Sequence, residues 1–241
     1  MKKSMESELL RQWIEPKYLA RPFLREMQSW FVRRPGTPRL LKGFLRPERA
    51  EALADCLAGV TLWQRVRCVR DGETTREVTD GEWERTPPEQ RFSDTDIARP
   101  LKRLWEGQGV PAGAEGLLKS FLLLALGPPM QSWVSRVVGV DVSGKITCEV
   151  ARYGRGQFLR EHSDTHDSRI AGANFYLGRA PGITRGGKLG FRNEQGEVFL
   201  LEAEFNSLSI FPVRVGCSHW VTEWVDEQAG RELVSVSYRP Q

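Results

Sequence analysis

Two textures divide the chain, and they meet near residue 146. In the first, apolar residues recur at helical spacing. Leu9, Leu10, Trp13 and Ile14 mark an amphipathic stretch over 5–31, punctuated by Pro16, Pro22 and Pro35. Arg39 to Leu45 reads as a short strand. Pro47 then opens a helix that keeps Ala50, Leu53, Ala54 and Leu57 on one face. Thr61 to Val69 alternates and is rich in β-formers, and Asp71-Gly72 supplies a turn after it. Residues 79–92 are polar and contain Pro87-Pro88, the pattern of a loop. Short helices are expected over 97–105, 115–126 and 130–138, the last two parted by Gly127-Pro128-Pro129. From Ile146 the texture changes to short β-branched runs separated by glycine turns. Helices first and strands after predict a helical scaffold on a C-terminal β-fold. The division expected is an accessory helical segment over 1–38 and a single domain over 39–241, with its scaffold at 39–140 and its β core at 146–239.

Composition narrows the class without changing that picture. With 241 residues, 40% of them hydrophobic, the chain can bury one sizeable core. The longest apolar run, Phe121 to Leu126, is far short of the roughly 20 residues of a membrane-spanning helix. Met-Lys-Lys-Ser at the start is followed by acidic and aromatic residues rather than an apolar signal core, so a cytoplasmic location is expected. Cys56, Cys68, Cys148 and Cys217 lack CxxC spacing and read as buried free thiols. The formal charge is +4, yet the first fifty residues hold twelve Lys/Arg against five Asp/Glu. Such a basic segment suits a polyanion, but its charges are dispersed among apolar residues, which favours a solvated amphipathic face over a nucleic-acid surface.

The candidate chemistry lies in three histidines, His162, His166 and His219. On a strand, residues two apart share a face, so His162 and Asp164 present an imidazole and a carboxylate side by side. His219 follows 55 residues after Asp164, beyond the strand-like run Ser207 to Pro212. Two imidazoles and one carboxylate can hold one face of an octahedral metal and leave three positions open, the ligand set of non-haem Fe(II) oxygenases. His166 has the same parity and competes as a ligand, though Thr165 to Ser168 reads as a polar turn. Arg160 shares the His162 parity as well. Eight Lys/Arg fall between Arg152 and Arg192 against three Asp/Glu, a composition that suits an anionic substrate group.

The surroundings of these residues resemble the prolyl-hydroxylase-like branch of the Fe(II)/2-oxoglutarate dioxygenases over about 146–239. Tyr153 precedes His162-Ser163-Asp164. Gly186-Gly187-Lys188-Leu189 follows, then Phe211-Pro212 before His219, and finally Arg231 at the head of a last strand-like run, Arg231 to Tyr238. Arg39 to Leu57 is similar to the strand-then-helix lead-in of that family. The resemblance implies a double-stranded β-helix, a jelly-roll of two facing antiparallel sheets buttressed by N-terminal helices. It implies Fe(II) on His162, Asp164 and His219, with 2-oxoglutarate and O₂ as cosubstrates and ascorbate as a candidate auxiliary.

The far carboxylate of 2-oxoglutarate needs a cation inside the barrel, and an arginine offers a permanently charged fork of donors. Arg231 is the residue implied, with Ser235 and Tyr153 as added hydroxyl donors and Arg239 as the fallback anchor. Arg160, His166 and Trp220 are the substrate-contact candidates. The implied reaction oxidises a substrate C–H bond, with succinate and CO₂ released, in a small molecule or a peptidyl residue. Three other readings stand beside it: a nucleobase demethylase of the same superfamily, a metal-free β-barrel binding module, and a zinc hydrolase on a cupin-like barrel.

Overall fold

The computed structural model describes residues 2–72, 74–165, 168–179, 186–227 and 231–240, with side chains from residue 8 onward. Three helices open the chain where one broken stretch was expected: α1 (Lys2–Trp13), α2 (Pro16–Leu19) and α3 (Arg21–Arg33). The breaks follow the prolines. Pro16 and Pro22 each sit in the first turn of the next helix, where their missing N–H costs nothing. Strand β1 (Arg39–Lys42) and helix α4 (Pro47–Ala58) fall where the pattern put them.

The next segment departs from expectation. Strand β2 (Trp63–Asp71) turns into β3 (Thr74–Glu77). Residues 79–92 are not all loop, because α5 (Asp80–Arg85) forms there behind a capping box between Thr79 and Glu82. Nor is 97–105 one helix. Strand β4 (Arg91–Ala98) takes its first two residues, and α6 (Leu101–Trp105) is a single turn or so. Asp94 and Asp96 hid β4 from the pattern, since acids are poor strand formers. Both are matched by cations on neighbouring strands. Arg65 grips Asp94 with two donors at 2.7 and 2.8 Å, Arg67 adds a third at 3.3 Å, and Arg152 reaches Asp96 at 2.8 Å.

Helices α7 (Glu115–Leu126) and α8 (Pro128–Val138) complete the scaffold. The β core then runs as β5 (Ile146–Tyr153), β6 (Phe158–His162), β7 (Ala171–Tyr176), β8 (Leu189–Arg192), β9 (Val198–Leu201), β10 (Ser207–Pro212), β11 (Ser218–Val221) and β12 (Arg231–Tyr238). Paired strands follow the order β1-β10-β7-β12-β5-β4-β6-β11-β8-β9, with β2 and β3 joined through β4. All pairings are antiparallel, and the result is the expected jelly-roll. One wall is β1-β10-β7-β12-β5, the other is β6-β11-β8-β9, and β4 is the hinge strand between them.

Strand alternation decides which residues reach the site. On β12, Val234, Val236 and Tyr238 face the helices and join a core with Phe121, Trp133, Phe175 and Ile210. Phe175 stands between the two layers, with its ring 6.0 Å from Phe44 and 5.3 Å from Phe121. The other parity turns inward, where Leu233 packs with Ala151, Tyr153, Tyr176 and Val221. The helices therefore bury the outside of one wall and leave the barrel interior for ligands. Among the described residues no helix is long and apolar enough to cross a membrane.

Candidate functional site

His162 ends β6 and His219 is the second residue of β11, and the two are paired directly across the strands. Asp164 lies two residues past the end of β6, buried at 7% exposure. Nε2 of His162 is 3.6 Å from Asp164 Oδ1, and Nε2 of His219 is 3.8 Å from Asp164 Oδ2. One ligand-capable atom from each residue lies within 4.8 Å of the others, the only such described group containing these side chains. His166 falls outside the described residues.

What surrounds the three donors fixes their state. The His162 Nδ1–H donates to the Arg160 carbonyl at 2.9 Å, which leaves Nε2 with its lone pair toward Asp164 and His219. Arg169 Nη1 donates to Asp164 Oδ1 at 2.9 Å and helps hold the carboxylate. Phe191 stacks 6.0 Å from the His219 ring, Phe211 sits 5.5 Å from it, and Phe92 meets His162 edge-on at 5.4 Å. Burial pushes His219 down to about 3, with the neighbouring His162 adding to the shift, and burial lowers His162 too. Both imidazoles are thus neutral near pH 7, the form that binds a metal.

That shift has a consequence for the metal-free protein. His219 titrates near 6.5 in an unfolded chain and near 3 in the fold. Below about pH 6.5 the unfolded chain takes up a proton that the fold refuses. The stability this group contributes is therefore complete above 6.5 and declines as pH falls toward 3. The slope per group approaches about 1.4 kcal/mol per pH unit. Urea unfolding with chelator at pH 7, 6 and 5 should show the decline, and His219→Leu should flatten it. An unchanged slope in that variant would contradict the assignment.

Two β-bulges frame His162. Between His219–His162 and Val221–Leu159, β6 carries one extra residue. Because of it, Arg160 does not share the His162 face as strand parity implied. It is exposed on the other side, its guanidinium 4.6 Å over the Phe158 ring. Trp220 has the same fate. It alternates with His219 and Val221 and lies over Gly190, where an added Cβ would come within 2.0 Å of the indole. Arg160 and Trp220 line a groove of about 340 Å³ with Phe158 and Glu223, outside the barrel. The second bulge is on β4, where Phe92 is the unpaired residue between Cys68–Ser93 and Val69–Arg91.

The second half of the site is Arg231, at the head of β12 opposite Tyr153 on β5. It is 3% exposed, and its Nε and Nη1 have no hydrogen-bond partner among the described residues. Its guanidinium carbon lies 4.7 Å over the Tyr176 ring and 5.8 Å over that of Tyr153. An isolated buried charge costs several kcal/mol, and two ring faces offset only part of that. Tyr153 is pushed up to about 12 by burial, so its phenol stays neutral and can donate.

Gly186 and Gly187 roof this cation. Both have positive φ, +86° and +64°. A Cβ on Gly187 would lie 2.3 Å from the Trp224 ring and 3.5 Å from Arg231 Nη1. Ser235 shares the inward parity of Arg231 but pairs with Glu149 and Asn174. Four residues along a strand is about 13 Å, too far for both to hold one carboxylate. Arg239 lies farther still and donates to Thr147 at 3.2 Å.

The expected basic mouth is mostly self-neutralised. Arg152 pairs with Asp96, Arg155 with Glu227, Arg179 with Glu51 and Asp55, Lys188 with Glu202, and Arg192 with Glu161. Sequence reasoning missed Arg70, Phe92, Arg169 and Phe191 around the donors, and read Phe211 only as part of the run before His219. None carries a spacing signal, and Phe92 arrives only because a bulge re-aims it.

Residues 148–237 match the family model of the 2OG-Fe(II) oxygenase superfamily. No curated protein matches the sequence. Solved structures do. A Pseudomonas putida prolyl-4-hydroxylase is 19% identical, with a TM-score of 0.57 over 90% of this chain and 99% of that one. A Trichoplax adhaerens prolyl hydroxylase, solved with a peptide fragment of hypoxia inducible factor, is 18% identical, with a TM-score of 0.60 over 90% and 89%. The non-haem α-ketoglutarate-dependent epimerase SnoN from nogalamycin biosynthesis is 14% identical, with a TM-score of 0.54 over 90% and 85%. At these identities the fold is what is shared, and it hosts more than one reaction.

Proposed function

We propose, starting from the match of residues 148–237 to the family model of the 2OG-Fe(II) oxygenase superfamily, that this chain is an Fe(II)- and 2-oxoglutarate-dependent dioxygenase acting on a C–H bond of a small-molecule or peptidyl substrate. The observation that carries the reading is Arg231, a buried cation with two unpaired donors in the same interior as a His-Asp-His donor face. A metal-free binding module has no use for that pairing of features, and a zinc hydrolase needs no such arginine.

His162, Asp164 and His219 would hold Fe(II), whose three remaining positions suit a chelating 2-oxo acid and O₂. Bound there, the metal and cosubstrate supply the oxidising chemistry, in which O₂ and 2-oxoglutarate become succinate and CO₂ while the substrate carbon is oxidised. The protein's own residues do the rest. Arg231 Nε and Nη1 receive the far carboxylate of 2-oxoglutarate, and the neutral Tyr153 phenol adds a donor. The Arg160 carbonyl keeps His162 in the tautomer that offers Nε2. Arg169 orients Asp164. Phe92, Phe191 and Phe211 keep bulk water from the imidazoles.

The test is turnover. Purified protein with Fe(II) and 2-oxoglutarate in air should release succinate slowly even without its substrate, and chelation should stop it. The matching result is iron-dependent succinate that His219→Ala abolishes. Succinate release at the level of a metal-free blank would overturn the reading.

A further inference from the structure

The arginines of the β2-β3-β4 ribbon are nearly all spoken for. Arg65 and Arg67 share Asp94, Arg67 also reaches Asp80, Arg76 pairs with Glu82, and Arg99 pairs with Glu77. Arg70, at the end of β2, differs. It is exposed and has no acidic partner among the described residues. It is nevertheless held in place. Nη2 donates to the Glu161 carbonyl at 3.0 Å, one residue before His162, and the guanidinium carbon lies 5.0 Å over the Phe92 ring. Phe92 in turn meets the His162 ring edge-on at 5.4 Å. A bulge in β4 exists at this residue and nowhere else along the β2–β4 pairing. Cation, aromatic ring and donor-face imidazole thus form one stack, with the cation on the solvent side.

An arginine has five N–H donors, and one of Arg70's is committed to Glu161. The free edge of a guanidinium fixed by a stack and a hydrogen bond is preorganised for a planar two-oxygen anion. We propose that Arg70 is a specificity-determining residue that receives a carboxylate of the substrate as it approaches His162, so that the substrate class is carboxylate-bearing. The inference rests on the Fe(II)/2-oxoglutarate reading above. The carboxylate could belong to a free amino-acid-like molecule or to an acidic side chain in a peptide. The Arg160 side chain, also exposed and without an acidic partner among the described residues, opens onto the opposite face, and its substitution keeps the backbone carbonyl that holds His162, so it serves as the control.

The experiment uses the full chain with Mn(II) and 2-oxoglutarate, and reads paramagnetic broadening of probe resonances by NMR. The probes are the N-acetylated amino acids with their C-terminal amides, and acetyl-capped, C-amidated tripeptides of the form Gly-Glu-Gly with their Gln counterparts. In the wild type, one acid series should broaden at about tenfold lower concentration than its uncharged partner. The N-acetyl set responding identifies a free carboxylate, and the tripeptide set a side-chain one. Arg70→Gln should remove the discrimination, Arg70→Lys should keep part of it, and Arg160→Gln should leave it. Acid and uncharged probes responding alike in the wild type, or loss of discrimination in Arg160→Gln but not in Arg70→Gln, would overturn the proposal. Charge-transfer absorption from anaerobic Fe(II) and 2-oxoglutarate separates the two failures. If it is present while the probes do not discriminate, only Arg70 is wrong; if it is absent, the underlying reading is wrong.

Discussion

Arg231→Ala is expected to raise the 2-oxoglutarate concentration needed for half-saturation by about 30-fold or more. Losing one side of a buried charge-assisted pair costs roughly 2–5 kcal/mol, and each 1.4 kcal/mol is about tenfold. The lower end applies because Tyr153 and Tyr176 stay in place to line the pocket. Arg231→Lys should recover part of the loss, since an ammonium is charged but cannot make the forked contact. Fe(II) affinity without cosubstrate should change little, as the guanidinium is not among the three clustered donors. Arg239→Ala should be nearly silent, because that side chain is engaged with Thr147 at the far end of the strand. Titration of 2-oxoglutarate against all three variants checks this. Damage from Arg239→Ala with none from Arg231→Ala would show that the cosubstrate lies elsewhere in the barrel.

Removing any of His162, Asp164 or His219 should have the larger effect on the metal. Partners outside the ligand shell typically account for about 10–100-fold in metal affinity, so loss of a ligand itself should cost about 100-fold or more. Alanine at each position should abolish iron-dependent turnover while the far-ultraviolet spectrum stays unchanged. Arg169→Ala should weaken Fe(II) binding by about 10–100-fold without abolishing it, because Arg169 Nη1 only orients Asp164. His166→Ala should bind iron as the wild type does. Equilibrium Fe(II) binding under nitrogen distinguishes the three grades. Full affinity in His219→Ala would remove the basis for the donor set.

Much of this was legible in the sequence because it depends on order and parity. The run Tyr153, His162-Ser163-Asp164, Gly186-Gly187, His219, Arg231 maps onto β5, the end of β6, the turn before β8, the start of β11 and the head of β12. The glycines were readable as a pair, and their reason is steric: a side chain at Gly187 would strike Trp224 beside Arg231. What the sequence hid was whatever depends on irregular pairing or on distant partners. Strand β4 was invisible because Asp94 and Asp96 are tolerable there only opposite Arg65, Arg67 and Arg152. Arg160 was assigned to the wrong face because a bulge in β6 adds a residue between Leu159 and His162, and parity arguments fail across a bulge. Arg70 and Phe92 lie some seventy to ninety residues before the histidine they approach, and nothing local marks them.

The central claim is that one barrel interior holds both a three-donor metal face and a cation for the cosubstrate. Anaerobic addition of Fe(II) and then 2-oxoglutarate to the metal-free protein tests both at once. The account predicts a metal-to-ligand charge-transfer absorption that saturates at one equivalent of each, is lost in His162→Ala, and needs about 30-fold or more 2-oxoglutarate in Arg231→Ala. No such absorption in the wild type, or an unchanged titration in both variants, would contradict it.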